Sequence, residues 1–501
     1  MVDRVDTVWV LGDQLNDRIA SLEGARPETT RVLIVTSEGK LRSKVWHRQR
    51  VHLVLTAMRR FAIHLRAAGF EVDERHASSL AEGLAAHRRD LRPDRVLAME
   101  PMSWDGLRLL ERSDVQIVRS NQFLCHREEF AQWADGRGKG RLVMEDFYRW
   151  QRQRLGYLMD GGRPAGGAWN FDASNREPPP RDARSWPPAP QGRLDAVDRS
   201  VLADLEAFDT FGADPDGTWA TSRKGALLRL RRFTTETLPH FGPHEDAMLA
   251  DEWRLAHSAL SHALNIGLLL PGEVCDAAEE AYRAGDAPIP SVEGFVRQVL
   301  GWREYVWGMY WRSMPSYRTV NELGAHRPLP PAFTGAPTKM RCVGIAVEAV
   351  NDRAWAHHIQ RLMVLGNLAL LAGVEPGEMV DWMWRSFVDG AEWVMLPNLL
   401  GMSLHADGGV MATKPYAGGG AYINRMSDYC KGCAYDPKRR TGEDACPFTT
   451  LYWDFLARHR TRFAGNHRMA QSVHGLDRLS DLAAVRERAT EVLDRLDVGT
   501  L

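Results

Sequence analysis

The chain reads as an α/β domain with a parallel, Rossmann-like sheet, followed by a large all-α domain. Three observations predict this. Short β-branched runs alternate with a helical stretch up to about residue 125. A Gly- and Pro-rich segment follows at 158–192. Beyond it the apolar residues recur at helical spacing almost to the end. In order, Asp6–Gly12 and Arg31–Thr36 predict two buried strands, and 46–69 a helix carrying Leu53, Leu55, Met58, Phe61 and Leu65. Arg95–Met99 and Val115–Val118 predict two more strands. Helices are expected at Leu227–Leu238, Glu252–Leu269, Val292–Met309, Ala354–Ala372 and Gly377–Phe387. The expected division is 1–135, a linker over 136–200, and a helical domain over 201–501.

A chain of 501 residues is too long for one core. Its 44% apolar and 26% charged residues are ordinary for a soluble globular protein. The start, Met-Val-Asp-Arg-Val-Asp, carries charge where a signal peptide has its apolar stretch, and no apolar run is long enough to span a membrane. Thiols in a metal-binding pattern without such a signal predict a cytoplasmic protein, expected to be monomeric. The net charge of −1 excludes wholesale attraction to nucleic acid, so any such contact must come from local basic patches.

Four of the six cysteines form a ligand pattern: Cys342, then Cys430-x2-Cys433, then Cys446-Pro447. Four thiolates suit an iron–sulfur cluster or a structural zinc, and the Cys-Pro ending favours iron–sulfur. Cys125 and Cys275 stand alone in apolar surroundings and read as core residues.

Three further constellations could carry chemistry. Leu11-Gly-Asp13-Gln14-Leu15 follows the first strand, Glu38 the second and Glu100 the third, so acidic groups gather at the carboxyl edge where open α/β sheets bind ligands. On the segment Trp355–Asn367, His357 and His358 precede Arg361, with His358 and Arg361 on one face, and Asp389 is the expected partner of Arg361. One helix cannot separate structural histidines from functional ones. Tyr416 and Tyr422 flank a glycine run, and Lys438, Arg439, Arg440, Arg458, Arg460 and Arg462 follow, a basic and aromatic mixture suited to nucleic acid or to a solvated surface.

Taken with Trp169–Arg176, Phe241–Met248, Ser258–Asn265, Gly301–Tyr305 and Gly401–Ser403, these motifs resemble in order the iron–sulfur bacterial cryptochromes and photolyases, the group that includes the prokaryotic (6-4) photolyases. The resemblance spans nearly the whole chain. It implies FAD in the helical domain, near His244, Ser258, Asn265, Arg361, Asn367, Asp389 and Met395. It also implies a 6,7-dimethyl-8-ribityllumazine antenna at Asp13, Gln14 and Glu38, and a [4Fe-4S] cluster on Cys342, Cys430, Cys433 and Cys446. His357, His358, Tyr416 and Tyr422 then belong to the lesion pocket, and Trp382 to an electron-transfer chain. The implied partner is UV-damaged DNA, and the implied activity is light-dependent repair of (6-4) photoproducts; the alternative is a blue-light photoreceptor with the same cofactors. Three positions depart from the group's pattern: Met395 faces the flavin where Asn is common, Phe333 replaces a relay tryptophan, and Met383 follows Trp382.

Overall fold

The computed structural model describes residues 5–138, 140–180, 182 and 185–501. Five strands, β1 (Asp6–Val10), β2 (Thr30–Ser37), β3 (Glu71–Ala77), β4 (Val96–Met99) and β5 (Gln116–Val118), form one parallel sheet in the order β3-β2-β1-β4-β5. In register, Val8 lies beside Val32 and Trp9 beside Leu33. The strands are continuously apolar because both faces are covered. Val8, Val10, Val32 and Ile34 face the helix Arg48–Ala67 through Leu53, Ala57 and Phe61. Trp9, Leu33 and Val35 face the other way, onto Leu84 and Leu110. The edge strand β3 reads Glu-Val-Asp-Glu-Arg-His-Ala, with only Val72 buried. Its charges are an edge-strand signature that no apolar period could have announced.

The stretch expected as a linker is largely structured. Its helix Met144–Leu155, with the preceding helix Arg127–Asp135, is fastened to the helical domain by aromatic packing. Phe130 lies 5.2 Å from Phe147 and 5.8 Å from Tyr305, ring to ring. The chain then doubles back, and the helix Ala196–Leu205 lies on Arg48–Ala67, where Arg60 donates to the buried carboxylate of Asp198 at 2.7 Å. The start of Arg48–Ala67 in turn enters the helical domain: the Gln49 amide donates to the Asp352 carbonyl (2.6 Å) and Arg50 to the Phe387 carbonyl (2.9 Å).

Two expected helices differ. Glu252–Leu269 is irregular except for Ser261–Asn265, because Leu255 and Ala259 take positive φ, 48° and 52°. In Ala354–Ala372, Ala354 has φ 51° and ends the preceding helix Arg341–Arg353, and helix resumes only at His358. Non-glycine residues at positive φ are uncommon and gather where tertiary structure dictates the backbone. Four segments are π-helical among the described residues: Phe233–Thr237, Arg297–Arg303, Gln360–Gly366 and Pro397–Ser403.

The interlock of Phe130 with the helix Glu304–Ser313 leaves no room at Gly308, where a Cβ would lie 2.1 Å from the Phe130 ring. Gly308→Ala should therefore destabilise the protein by about 1–3 kcal/mol, the usual cost of overpacking. Chemical denaturation monitored by circular dichroism would read this as a lower midpoint; an unchanged midpoint would mean that this contact does not fasten the helices.

Candidate functional site

A cavity of about 1230 Å³ opens in the helical domain, above the roughly 300–1,000 Å³ typical of small-ligand sites. Its walls are the irregular segment around His257–Ser261, the π-helical segments Arg297–Arg303, Gln360–Gly366 and Pro397–Ser403, and the irregular run Met411–Gly418. Ser258, Asn265, Arg361, Asp389 and Met395 all line it, as do Tyr416, Tyr422 and His358.

Arg361 and Asp389 meet there in a two-pronged ion pair, both N–O distances 3.0 Å. Ser261 donates to Asp389 Oδ2 at 2.6 Å, and the Asn265 amide donates to the Asp389 carbonyl at 2.8 Å. Arg361 Nε donates to the Ala356 carbonyl (2.6 Å), and the guanidinium lies 4.2 Å from the Phe387 ring centre. Burial alone would raise the Asp389 carboxyl; the Arg361 charge and these hydrogen bonds more than offset it and hold the group below its ordinary range.

Nearby, His358 lines the cavity and is exposed to that space, though protein lies all around the cavity. Burial first and the Arg361 charge second hold its pKa down to about 4, so in this state the imidazole is neutral. Burial pushes the Glu245 carboxyl up to about 8 and that of Asp246 to about 6. Glu245, Ser261, Arg303 and Asn398 also line the cavity; the first three lie inside the motifs Phe241–Met248, Ser258–Asn265 and Gly301–Tyr305 without being singled out there, and Asn398 lies in none of them. Trp393 Nε1 and two nitrogens of Arg303 are buried on this wall with no hydrogen-bond partner among the described residues. Unpaired buried donors beside a large cavity fit a polar ligand such as a dinucleotide.

Other expected residues lie elsewhere. His357 does not reach the cavity: it is 1% exposed and stacked on His257 at 4.7 Å, a packing role behind the wall. His244 is held by the Pro178 carbonyl (2.9 Å) and the Trp186 ring. Asn367 acts on the backbone, donating to the Gly418 carbonyl (2.7 Å) and accepting from its amide (3.0 Å), which fixes the glycine run. Trp382 is buried behind the wall, edge-on to Phe333 (5.1 Å) and Phe387 (6.0 Å).

The four patterned cysteines line one small apolar pocket with Met340, Tyr429 and Phe448. Cys446 precedes the helix Pro447–Arg458, and Pro447 takes the first helical position, where its missing N–H costs nothing. At Gly420 a Cβ would lie 2.8 Å from Cys446 Sγ, so only glycine leaves the sulfur its space. Burial, then the neighbouring thiols, raise the Cys342 thiol well above its usual value; Cys430 is pushed up to about 12. Such a pocket favours neutral thiols until a metal supplies positive charge. Cys125 and Cys275 are fully buried away from it.

At the sheet edge, burial raises the Asp13 carboxyl to about 6. Lys40 stands close to it and reaches over the Trp384 ring at 5.4 Å, joined by Lys44 at 5.2 Å. Glu38 is exposed and paired with Arg42 (2.8 Å). Gln14 is spent on structure, donating to the Met99 and Glu100 carbonyls, and Glu100 is spent on His126 (2.9 Å) and Arg127 (3.3 Å). Asp13 and Lys40 therefore carry the polar chemistry of this edge, and Lys40 had no sequence signal beyond its charge.

The surface charges also differ from expectation. Arg439, Arg440, Arg458, Arg460 and Arg462 are engaged with Asp444, Asp481, Asp454, Asp477 and Glu322. Cations without an ion pair among the described residues stand instead around the cavity mouth: Arg141, Lys414, Arg425 and Arg468.

The buried titratable groups set a pH profile. Nine histidines have lowered pKa values. Between about pH 4 and 6.5 the unfolded chain binds protons that these cannot bind when folded, so stability rises with pH. Five carboxyls are raised and act in the opposite sense, so the histidines prevail below about pH 6.5 and Glu245 and Glu304 decide above it. The thermal midpoint should climb from pH 5 to 6.5 and then level or decline by pH 8. A midpoint falling over the first interval would contradict these burials.

Among the described residues no helix is long and apolar enough to cross a membrane. Residues 8–218 match the family described as deoxyribodipyrimidine photo-lyase-related protein. The chain is 41% identical to a (6-4) photolyase of Agrobacterium fabrum, over 98% of this chain and 99% of that one. In fold it is similar to a bacterial class III photolyase of Agrobacterium tumefaciens (TM-score 0.56, 15% identity, 99% and 98% covered) and to a cryptochrome of Synechocystis (TM-score 0.55, 13% identity, 80% and 83% covered). With the Arg361–Asp389 cavity and a relative of that identity along nearly the whole of both chains, the chain belongs to the cryptochrome/photolyase superfamily, in its bacterial (6-4) photolyase group.

Proposed function

We propose that the protein is a DNA-repair lyase that uses light to reverse (6-4) pyrimidine photoproducts. The observation that carries this reading is one cavity in which the Arg361–Asp389 pair, His358, Tyr416 and Tyr422 face a common space under a mouth of unpaired cations. The cations suit the phosphates of a duplex, whose damaged nucleotides enter the cavity once flipped out. The photoreceptor alternative has no use for such a mouth.

FAD fits the cavity by its size and its unpaired donors; when bound it supplies the one-electron reduction that starts repair. Ser258, Asn265, Arg361, Asp389 and Met395 are proposed to hold it, with Asn367 bracing the loop beside it. Asp389 anchors Arg361, and its lowered carboxyl stays ionised through the neutral range. His358 is the proposed general acid. Neutral in the empty cavity, it gains a proton when the anionic charge of DNA and cofactor enters, because negative neighbours raise an imidazole pKa. Acid strength therefore arises at His358 only in the assembled complex. Tyr416 and Tyr422 offer hydroxyl donors to the lesion, and Trp382 is proposed to relay electrons despite Phe333 beside it.

The cysteine pocket is proposed to hold a [4Fe-4S] cluster. All four sulfurs line it, and the Cys446-Pro447 ending favours an iron–sulfur cluster over a single zinc. The lumazine antenna is proposed at Asp13 and Glu38, with Lys40, in the α/β domain of 1–135; residues 136–200 join it to the catalytic domain of 201–501. Arg50, near the start of the helix Arg48–Ala67, touches the Phe387 carbonyl two residues before Asp389, which supports placing this edge beside the FAD cavity.

His358→Ala should lower light-dependent repair of a defined (6-4) oligonucleotide by about a hundredfold to ten-thousandfold, the usual cost of losing a general acid, with FAD still bound. Asp389→Ala should instead lose FAD, since breaking a buried ion pair costs about 3–5 kcal/mol. Normal repair by His358→Ala would remove it from catalysis, and photoreduction without any repair by the unmodified protein would make it a photoreceptor.

Cys433→Ala should yield protein with no bound iron and a lower yield of soluble material, since thiolate ligation couples metal binding to folding. Iron analysis of anaerobically purified protein should give four irons per chain for the unmodified protein; stoichiometric zinc would overturn the cluster.

A further inference from the structure

Trp355 lines the cavity beside Arg361, whose guanidinium lies 5.9 Å from its ring centre. It does not stand alone. The half-buried Trp253 packs edge-on against it with ring centres 5.1 Å apart. Trp219 lies 6.3 Å from Trp355 and 6.2 Å from Trp253. Three indoles thus form one cluster, with one member at the cavity and one at the surface. A cluster that joins a cofactor cavity to water can carry charge as well as pack, because an indole gives up an electron far more readily than a phenyl ring.

Trp382 is placed differently. It does not line the cavity, and among the described residues its ring meets only those of Phe333 and Phe387. Neither phenyl ring can refill an oxidised indole. A second string of tryptophans leaves the cavity from Trp393 through Trp307 (5.7 Å) to Trp311 (5.3 Å). The Nε1 atoms of all three are buried without a partner among the described residues, so none can hand on the proton that an oxidised indole sheds. Trp253 and Trp355 have no such orphaned nitrogen, and Trp219 Nε1 donates to Gln49 Oε1 (3.1 Å) and to the Arg353 carbonyl (3.0 Å). Each end of the Trp355 cluster has one guanidinium beside it, Arg361 at Trp355 and Arg353 at Trp253 (5.5 Å). Charge therefore favours neither end for a positive indole, and access to water favours Trp253.

We propose that Trp355, Trp219 and Trp253 form an electron relay, independent of Trp382, through which an external thiol reduces the cofactor in light. The proposal rests on the reading of the cavity as an FAD site. One electron leaves the Trp355 indole for the photoexcited, oxidised flavin. Trp253 refills Trp355, directly or through Trp219. The oxidised Trp253 indole gives its Nε1 proton to water, which holds the separated charge at the surface. An external thiol then returns one electron and one proton to Trp253, and two spent thiols pair as a disulfide. A second turn supplies the second electron that full reduction of the flavin takes, the flavin's protons coming from water.

The test illuminates oxidised, FAD-loaded protein with blue light under anaerobic conditions and dithiothreitol. Flavin absorbance reads the reduction, and transient absorption reads the amino-acid radical. Trp253→Phe should lose most of the light-driven reduction, with a radical signal that decays faster because charge returns from Trp355. Trp253→Tyr should restore reduction, since a phenol also oxidises, and should show a tyrosyl radical in place of the tryptophan one. Trp382→Phe should lose less than Trp253→Phe. Trp253 does not line the cavity, so FAD content and repair by dithionite-reduced protein should stay unchanged in both Trp253 variants. Reduction of Trp253→Phe at the unmodified rate would overturn the relay. So would a loss that Trp253→Tyr fails to restore, which assigns the cluster to packing, or a loss seen with Trp311→Phe alone, which assigns the route to the other string. Unmodified protein that holds no FAD would instead remove the cofactor reading, and the relay with it.

Discussion

The Arg361–Asp389 pair is the constraint around which the helical domain is arranged. A buried carboxylate and a buried guanidinium cannot stand apart without a large desolvation cost, so the segments carrying them have little freedom. Asp389 sits after the helix Pro376–Ser386, and Arg361 on the π-helical segment Gln360–Gly366. Ser261 and Asn265 bind Asp389 from a third segment, and the Ala356 carbonyl closes the ring on Arg361. Four separate stretches are thereby gathered round one charge pair, and the cavity is the space they enclose.

The same pair sets the electrostatics of its surroundings. The Arg361 charge, added to burial, keeps His358 neutral, while Glu245 across the cavity is kept protonated by burial. The empty site therefore carries less charge than its residue list suggests. The charge it lacks is the charge a nucleic acid and an anionic cofactor bring. Outside the cavity the pattern reverses: the arginines of the C-terminal region are neutralised by carboxylates, whereas those of the mouth remain unpaired. Net charge near zero and strong local attraction to DNA are compatible because the pairing is selective by position.

What could be read from the sequence follows from how local the cause of each feature is. The three central strands were legible because burial on both faces makes them continuously apolar, and the edge strand β5 through its short β-branched run Val115–Val118. Strand β3 was not, since an edge strand carries the charges of a surface. The cysteine set was legible from its spacing, and the Arg361–Asp389 pair because two charges in apolar runs need each other. The helix expected over Glu252–Leu269 failed because its apolar residues line an irregular wall, and the period cannot tell a helix face from such a wall. His357 was indistinguishable from His358 on paper; one turns to the cavity and the other stacks on His257. The C-terminal arginines misled because several of their carboxylate partners, Asp477, Asp481 and Glu322, lie 17, 41 and 140 residues away.

Three of the four π-helical segments, Arg297–Arg303, Gln360–Gly366 and Pro397–Ser403, border the cavity. A π turn is in effect an α-helix with one residue too many, and such turns recur at functional sites. Each α-helical residue advances the direction of the next side chain by about 100°. The extra residue is therefore what swings Arg303, Arg361 and Asn398 inward while the rest of each helix keeps its packing. The site is thus encoded partly in chain length. Its side chains can be exchanged one at a time with graded effects, but loss of a single residue from any of these three turns would rotate a whole wall. Insertion and deletion, rather than substitution, are the changes to which this cavity is least tolerant.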